Sequence, residues 1–345
     1  MIRKVLLPIS VKAQLPDESA LGLDTLFYRQ HPESLSNRLS RKLGRQDLQR
    51  ALDARIEILP CSDSLKKVEA AWFAADFGLP TPMIETLINR MPSLRWVYCQ
   101  RTGTDTLNTE FFKTKNIALS NTGNLVSLAV AEMNLACILA HAKKLPQHLL
   151  LQRRRRWQTL FCEEISTLTV GIVGSGNIGK ATARLCRALG MRVTAASRNP
   201  ARFENGAHPF HHIYHLDREL TTLLQEADYV VIAIPLTEAT KHLFSDTQFH
   251  AMRETAVLIN PARYEIVEES ALFKALTHHH IAAAYLDVLI NRRLFFWDKI
   301  YRTKNLYLTH YSSAHFRHKQ EKALQSFLRG IEHEAQTGDF PDRVG

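Results

Sequence analysis

Residues 168–173 (LTVGIV) are a short apolar run rich in β-branched side chains. They break directly into Gly174-Ser175-Gly176-Asn177-Ile178-Gly179, after which residues 180–189 take up helical spacing that ends at Gly190. A strand, a glycine turn and a helix in that order leave few folds open. Glycines there let the backbone approach a pyrophosphate at the positive end of the helix. Further apolar runs follow at residues 192–196, 229–234 (YVVIAI), 256–259 (AVLI) and 281–288 (IAAAYLDV), with helical patterns between them at 220–226 and 268–276. Continuous apolar strands alternating with helices describe a parallel sheet covered on both faces.

The first part of the chain also alternates, with strands expected at 55–59, 70–73, 94–98 and 117–120. At about 150 residues per domain, 345 residues fit two domains. The tail 314–336 reads as a terminal helix whose apolar positions can pack back on the N-terminal unit. The expected division is a discontinuous domain, 1–125 plus 310–345, for substrate, and a dinucleotide domain, 126–309. No internal repeat competes with it.

Composition excludes several classes. The opening MIRKVLLPIS is too short an apolar run for an export signal, and no stretch approaches a membrane span, so no membrane association is expected. Five cysteines, widely spaced and without a C-x-x-C pair, argue for reduced thiols in a cytoplasmic protein rather than a disulfide framework or a zinc site. The formal charge of +10, from 44 Lys+Arg against 34 Asp+Glu, favours anionic ligands in general.

An NAD-type site carries Asp or Glu about 20 residues past the glycine turn, at the end of the second strand, to accept from the ribose 2′-hydroxyl. This chain has Ser197-Arg198 there. A carboxylate would repel a 2′-phosphate, whereas a hydroxyl followed by a guanidinium can hold one, so NADP(H) is expected over NAD(H).

Six pieces then occur in a fixed order. They are Thr102-Gly103-Thr104-Asp105, Val130-Ala131-Glu132, the glycine turn, Ile234-Pro235-Leu236-Thr237, Asn260-Pro261-Ala262-Arg263 and Leu286-Asp287-Val288. In this series, over residues 94–314, the chain resembles the D-isomer-specific 2-hydroxyacid dehydrogenases, as a divergent, glyoxylate/hydroxypyruvate-reductase-like member. The pieces match that family's substrate-loop G-x-D, hinge-helix V-A-E, dinucleotide turn, P-L-T, N-x-A-R and L-D-V. The resemblance implies an α/β fold of two Rossmann-like, doubly wound parallel-sheet domains with a cleft between them. It also implies a nicotinamide cofactor, reduction of a small-molecule 2-oxoacid to a D-2-hydroxyacid, and a homodimer formed through the nucleotide domain.

The resemblance assigns roles residue by residue. Arg263 matches the arginine whose planar fork anchors the substrate carboxylate and keto oxygen, helped by the backbone N–H groups of Thr102 and Gly103. Gly174, Gly176, Asn177, Ile178, Gly179, Ser197, Arg198, Pro235 and Asn260 fall in the cofactor-binding set, and Asp287 matches the residue that accepts from the nicotinamide carboxamide. The family's T-P-H corresponds to Leu308-Thr309-His310-Tyr311-Ser312-Ser313-Ala314. His310 is the expected acid if the proline is deleted, and a gapless alignment puts Tyr311 in that place. The family glutamate that pairs with this histidine falls on Arg292, and its proline on Arg293. A guanidinium can only donate and would lower an imidazolium pKa, which moves the expected optimum for reduction toward acid pH. Arg292 can instead serve as a second anion anchor in the substrate site. Tyr264 replaces the glycine usual after the catalytic arginine and is expected to reshape the pocket floor.

Two functional readings stay open on these residues. One is an NADPH-dependent 2-oxoacid reductase. The other is a catalytically degenerate NADP(H)-binding sensor or scaffold, motivated by Arg292, Tyr264 and the altered T-P-H. Arg153, Arg154, Arg155 and Arg156 read as a solvated basic face, with only Trp157 beside them, so no nucleic-acid partner is expected. His208, His211, His212 and His215, like the run His278, His279 and His280, lack an evident shell of further ligands, so no metal is expected.

Overall fold

A computed structural model describes residues 2, 4–8, 24–30, 56–59, 62–73, 81–100, 107–122, 125–204, 206–288 and 297–341. The chain divides into two compact units, Met1–Leu125 with Arg317–Gly345, and Val126–Phe316.

The first unit holds β1 (Lys4–Pro8), β2 (Asp24–Gln30), β3 (Ile56–Leu59), β4 (Ala70–Phe73), α1 (Thr81–Asn89), β5 (Trp96–Cys99), α2 (Thr109–Thr114) and β6 (Ala118–Asn121). They form a six-stranded sheet in the order β3-β2-β1-β4-β5-β6. Every pair is parallel except β2–β3, so an antiparallel edge strand closes a sheet expected to be wholly parallel. Two-residue alternation assigns its faces. Leu6, Ala71, Phe73, Val97 and Cys99 turn toward α1, which meets them with Met83, Ile84, Leu87 and Ile88. Val5, Leu7, Trp72, Trp96 and Tyr98 turn the other way, onto the C-terminal helix Lys319–Thr337 and its Leu324, Phe327 and Ile331. There Trp96 stacks at 5.0 Å on Phe327 and at 5.0 Å on Phe340. Gly330 is required at this contact, because a Cβ on it would run into the Trp96 ring.

The second unit holds α3 (Ser127–Ala142), α4 (Leu145–Arg153), β7 (Thr169–Val173), α5 (Asn177–Ala188), β8 (Arg192–Ser197), β9 (His212–His215), α6 (Leu216–Glu226), β10 (Tyr229–Ile232), α7 (Asp246–Ala251), β11 (Val257–Asn260), α8 (Glu269–Thr277), β12 (Ala283–Leu286), α9 (Lys299–Arg302) and β13 (Leu306–Leu308). Its seven strands run in the order β13-β12-β11-β10-β7-β8-β9, all parallel. Val230, Ile232, Leu258 and Leu286 pack under α6, α7 and α8. Val170, Ile172, Val231 and Ile259 pack under α3 and α5. The order reverses between β7 and β10, and in sheets of this kind ligands bind outside the carboxyl ends of the strands at such a reversal.

No helix among the described residues is long and apolar enough to cross a membrane. Cys99, Cys137 and Cys186 are buried free thiols, and burial pushes Cys137 and Cys186 up to about 12, so both stay protonated. Cys162 is free and exposed. Residues 143–163 form an arm of the second unit, closed at the base by Glu163 N donating to Ala142 O at 3.0 Å. This arm includes α4, which buries none of its residues. Trp157 and Phe161 stand 102% and 94% exposed, and Leu149 58%.

Candidate active site

The glycine turn owes its shape to two of its three glycines. Gly174 sits at φ +116°, where an L side chain is strained, and a Cβ there would collide with the Ala233 carbonyl oxygen. A Cβ on Gly179 would collide with the Gly174 carbonyl, so the start of α5 can lie against the end of β7 only as glycine. Gly176 differs: a Cβ there would meet no protein atom within 4 Å. Its backbone needs no glycine either, at φ −75° and ψ −165°. Gly176 is the N-cap of α5, and no side chain caps that end, so the first-turn N–H groups of Asn177, Ile178 and Gly179 form a positive, donor-rich terminus. These features fit a dinucleotide pyrophosphate, with the open space over Gly176 as its cradle.

Beside the turn lies a cavity of about 310 Å³ bounded by Gly174, Ser175 and Gly176, by the end of β8, and by Ile234 and Pro235 after β10. Ser197 is tied into its wall, its Oγ 2.9 Å from Ser175 Oγ and accepting from Asn199 N at 3.3 Å. Arg198 lines the cavity, and so does Arg202, which sequence reasoning missed. A 3-10 turn, Pro200–Phe203, folds Arg202 back beside Arg198. The proline after Ser197-Arg198-Asn199 was the available signal. No Asp or Glu is among the lining residues. Pro235 takes part through its carbonyl, which accepts from Thr240 Oγ1 at 2.7 Å, while Thr240 Oγ1 accepts from Thr237 N at 2.8 Å, fixing the turn after β10.

The carboxyl ends of β11, β12 and β13 bring a second group together. Asn260, fully buried at the end of β11, accepts from Ala262 N at 3.0 Å and donates from Nδ2 to Arg263 O at 2.9 Å. Its amide therefore shapes the turn that carries Arg263. The Arg263 side chain is half-buried and donates to Ala262 O at 2.8 Å. Tyr264, expected to reshape a pocket floor, is only 4% exposed, and its ring belongs to the apolar core with Phe244 and Ile266.

Asp287 follows β12, joined to β11 by its N–H donating to Asn260 O at 3.1 Å. Where the resemblance put a partner for the nicotinamide carboxamide, its carboxylate accepts from the turn after β13. Oδ1 accepts from Thr309 Oγ1 at 2.5 Å and from Ser312 N at 2.9 Å, and Oδ2 from Ser313 N at 3.2 Å and from the Ser313 hydroxyl. His310 and Tyr311 occupy that turn, both exposed and both at positive φ, +53° and +59°.

Thr102, Gly103 and Arg292 lie outside the described residues. Three of the histidines at 208–215 serve the backbone: His208 Nδ1 accepts from Phe210 N at 3.3 Å, His211 Nδ1 from Val193 N at 2.9 Å, and His215 caps α6 by accepting from Asp217 N at 3.3 Å. Among the described residues no three His, Cys, Asp or Glu side chains are grouped to hold a metal. Arg153, Arg154, Arg155 and Arg156 are all exposed.

Strand order, glycine turn and strand-end cluster define a dinucleotide-binding α/β protein. Residues 135–313 match the family described as "D-isomer specific 2-hydroxyacid dehydrogenase, NAD binding domain". The glyoxylate reductase of Thermococcus kodakarensis is 33% identical over 236 residues, 65% of this chain and 68% of that protein. This chain belongs to the D-isomer-specific 2-hydroxyacid dehydrogenase family. Solved structures agree in fold. A D-isomer specific 2-hydroxyacid dehydrogenase from Xanthobacter autotrophicus in complex with NADPH and MES aligns at TM-score 0.73 and 22% identity, over 100% of this chain and 98% of that one. An NADPH-dependent glyoxylate/hydroxypyruvate reductase from Sinorhizobium meliloti in complex with NADP and malonate aligns at TM-score 0.71 and 21% identity, over 100% and 97%.

Proposed function

We propose that this protein is an NADPH-dependent reductase of small 2-oxoacids. The observation that carries the reading is Gly176: a glycine that neither the backbone nor any neighbouring protein atom requires serves what lies outside the protein. The N–H groups of Asn177, Ile178 and Gly179 hold the pyrophosphate, and Ser197 with Arg198 and Arg202 holds the 2′-phosphate through charge-assisted contacts. When bound, the nucleotide would supply the hydride for C2 of the 2-oxoacid, and His310 would give its proton to the carbonyl oxygen, so that a D-2-hydroxyacid results. Arg263 anchors the substrate carboxylate and stabilises charge developing on the keto oxygen. His310, exposed on its turn, recovers its proton from solvent.

NADPH oxidation, with NADH in parallel, against glyoxylate, hydroxypyruvate, pyruvate and bulkier 2-oxoacids from about pH 5 to about pH 8 tests this reading. Turnover with NADPH, reduced in Arg263→Ala by at least ~100-fold in kcat/KM, is expected. NADPH binding without turnover of any 2-oxoacid would overturn it in favour of an NADP(H)-binding sensor or scaffold. We also infer a homodimer, supported by the exposed Trp157, Phe161 and Leu149 of the arm, which a second copy of the chain would cover. Sedimentation of wild type as a dimer and of Trp157→Glu as a monomer is the expected result.

A further inference from the structure

We propose that Asp287, with Thr309 and Ser313, is a positioning device that holds the proton-donating side chain at 310 in a strained turn, its carboxylate committed to that turn rather than to the bound nucleotide. The proposal rests on the reading of His310 given above. Ser312 N donates to Thr309 O at 3.1 Å across His310 and Tyr311. With both central residues at positive φ, this is the mirror-image β-turn that elsewhere calls for Asn-Gly. Two consecutive side-chain-bearing residues in that region persist only where the surroundings over-determine them.

The surroundings do so from three directions. Thr309 N donates to Leu286 O at 3.0 Å and Tyr311 N to Asp287 O at 2.7 Å, so the end of β12 grips the backbone on both sides of His310. The carboxylate then takes four separate donors: the Thr309 and Ser313 hydroxyls and the Ser312 and Ser313 amides. An ionised carboxyl offers about four lone-pair directions, so this set uses its capacity. Asp287 and Ser313 are buried, 6% and 5% exposed, which strengthens these charge-assisted bonds and shuts water out as a substitute. The His310 and Tyr311 side chains are exposed. The two serines after Tyr311 supply three of the four donors that secure the turn.

Asp287→Asn places N–H donors against amide donors and should release the turn, while Ser313→Ala and Thr309→Val each delete one donor and leave the carboxylate in place. Three quantities are measured on each variant and on the Ser313→Ala/Thr309→Val pair: amide exchange over residues 309–316 by mass spectrometry, NADPH affinity by fluorescence titration, and kcat with KM. The expected result is faster exchange in that segment and a kcat lowered at least tenfold in Asp287→Asn and in the double variant, with NADPH Kd and KM within about twofold of wild type. The proposal is overturned if exchange in the segment is unchanged. It is equally overturned if Asp287→Asn weakens NADPH tenfold or more while the double variant keeps wild-type kcat, because the carboxylate would then be a nucleotide ligand. Should Asp287→Asn fail to fold, the hydroxyl deletions decide the matter. Failure of the reductase reading would show as inactivity of wild type, a separate result, since exchange and affinity report the clamp in either case.

Discussion

The second and third glycines of the turn, Gly176 and Gly179, should respond in opposite ways to the same added methyl group. In Gly179→Ala the new Cβ collides with the Gly174 carbonyl oxygen and presses the Ile172 side chain at 3.3 Å. The obstacle is backbone, so β7 and α5 must separate, at about 1–3 kcal/mol or more. For a unit of this size that lowers Tm by roughly 2–12 °C. In Gly176→Ala the Cβ meets nothing, and the φ of −75° suits any L residue. Alanine is a poorer N-cap than glycine, but it also loses less chain entropy on folding, by about 0.4–1 kcal/mol, so the two effects nearly cancel. Its cost falls on the nucleotide. Displacing the pyrophosphate from one or two first-turn amides forfeits about 1.5–3 kcal/mol per charge-assisted bond, a Kd raised roughly 10- to 100-fold or more. Thermal unfolding and fluorescence titration with NADPH separate the two effects. If Gly176→Ala bound NADPH as tightly as wild type, or melted as early as Gly179→Ala, the assignment of Gly176 to the nucleotide would be refuted.

Three further outcomes follow from the structure. Gly330→Ala should destabilise the first unit by about 1–3 kcal/mol, because the methyl group meets a Trp96 ring stacked between Phe327 and Phe340; an exposed helical glycine would instead gain about 1 kcal/mol, so the sign of the Tm shift decides. Replacing Arg198 and Arg202 together by Ala should weaken NADPH by ~10- to 100-fold and leave NADH within about threefold, and equal losses for both nucleotides in parallel titrations would contradict the 2′-phosphate assignment. Burial, with Lys144 adding to it, lowers His141 from its ordinary 6.5 to about 4. The unfolded chain therefore takes up this proton first, and the stability held by the neutral ring is full above pH 6.5, declines as pH falls toward 4 and then levels off. His141→Leu should flatten the fall of Tm across that range, and an unchanged slope would remove His141 as a cause.

The strand, turn and helix at 169–188 were legible because everything that makes them is local: an apolar strand buried on both faces, then glycines that the next turn of chain requires. The same holds for β10, β11 and β12, displaced from expectation by a residue or two where the ends carry loop geometry. β9 was not legible. It is an edge strand of four residues, His212–His215, mostly polar and only half-buried, so no hydrophobic pattern marks it and its histidines look like ligands. β1 was lost for another reason: Pro8 ends it, and an apolar run of three residues, Val5-Leu6-Leu7, before a proline reads as a terminus rather than as a central strand. Within the site, Ser197, Arg198 and the glycines could be named from spacing along one crossover, whereas Arg202 needed the 3-10 turn that brings it back. The partners of Asp287 were hidden because they lie 22 to 26 residues away and are joined to it only when β12 and β13 pair. Local propensity is carried by neighbouring residues, while a hydrogen-bonded clamp between strand ends belongs to the sheet.

The central claim is hydride delivery to C2 of a 2-oxoacid. NADPH deuterated at its transferable position, incubated with the chain and the preferred 2-oxoacid, should give a D-2-hydroxyacid carrying one deuterium on C2 by mass spectrometry and chiral chromatography. Oxidation of the deuterated nucleotide with no label on C2, or a labelled product of L configuration, would contradict it.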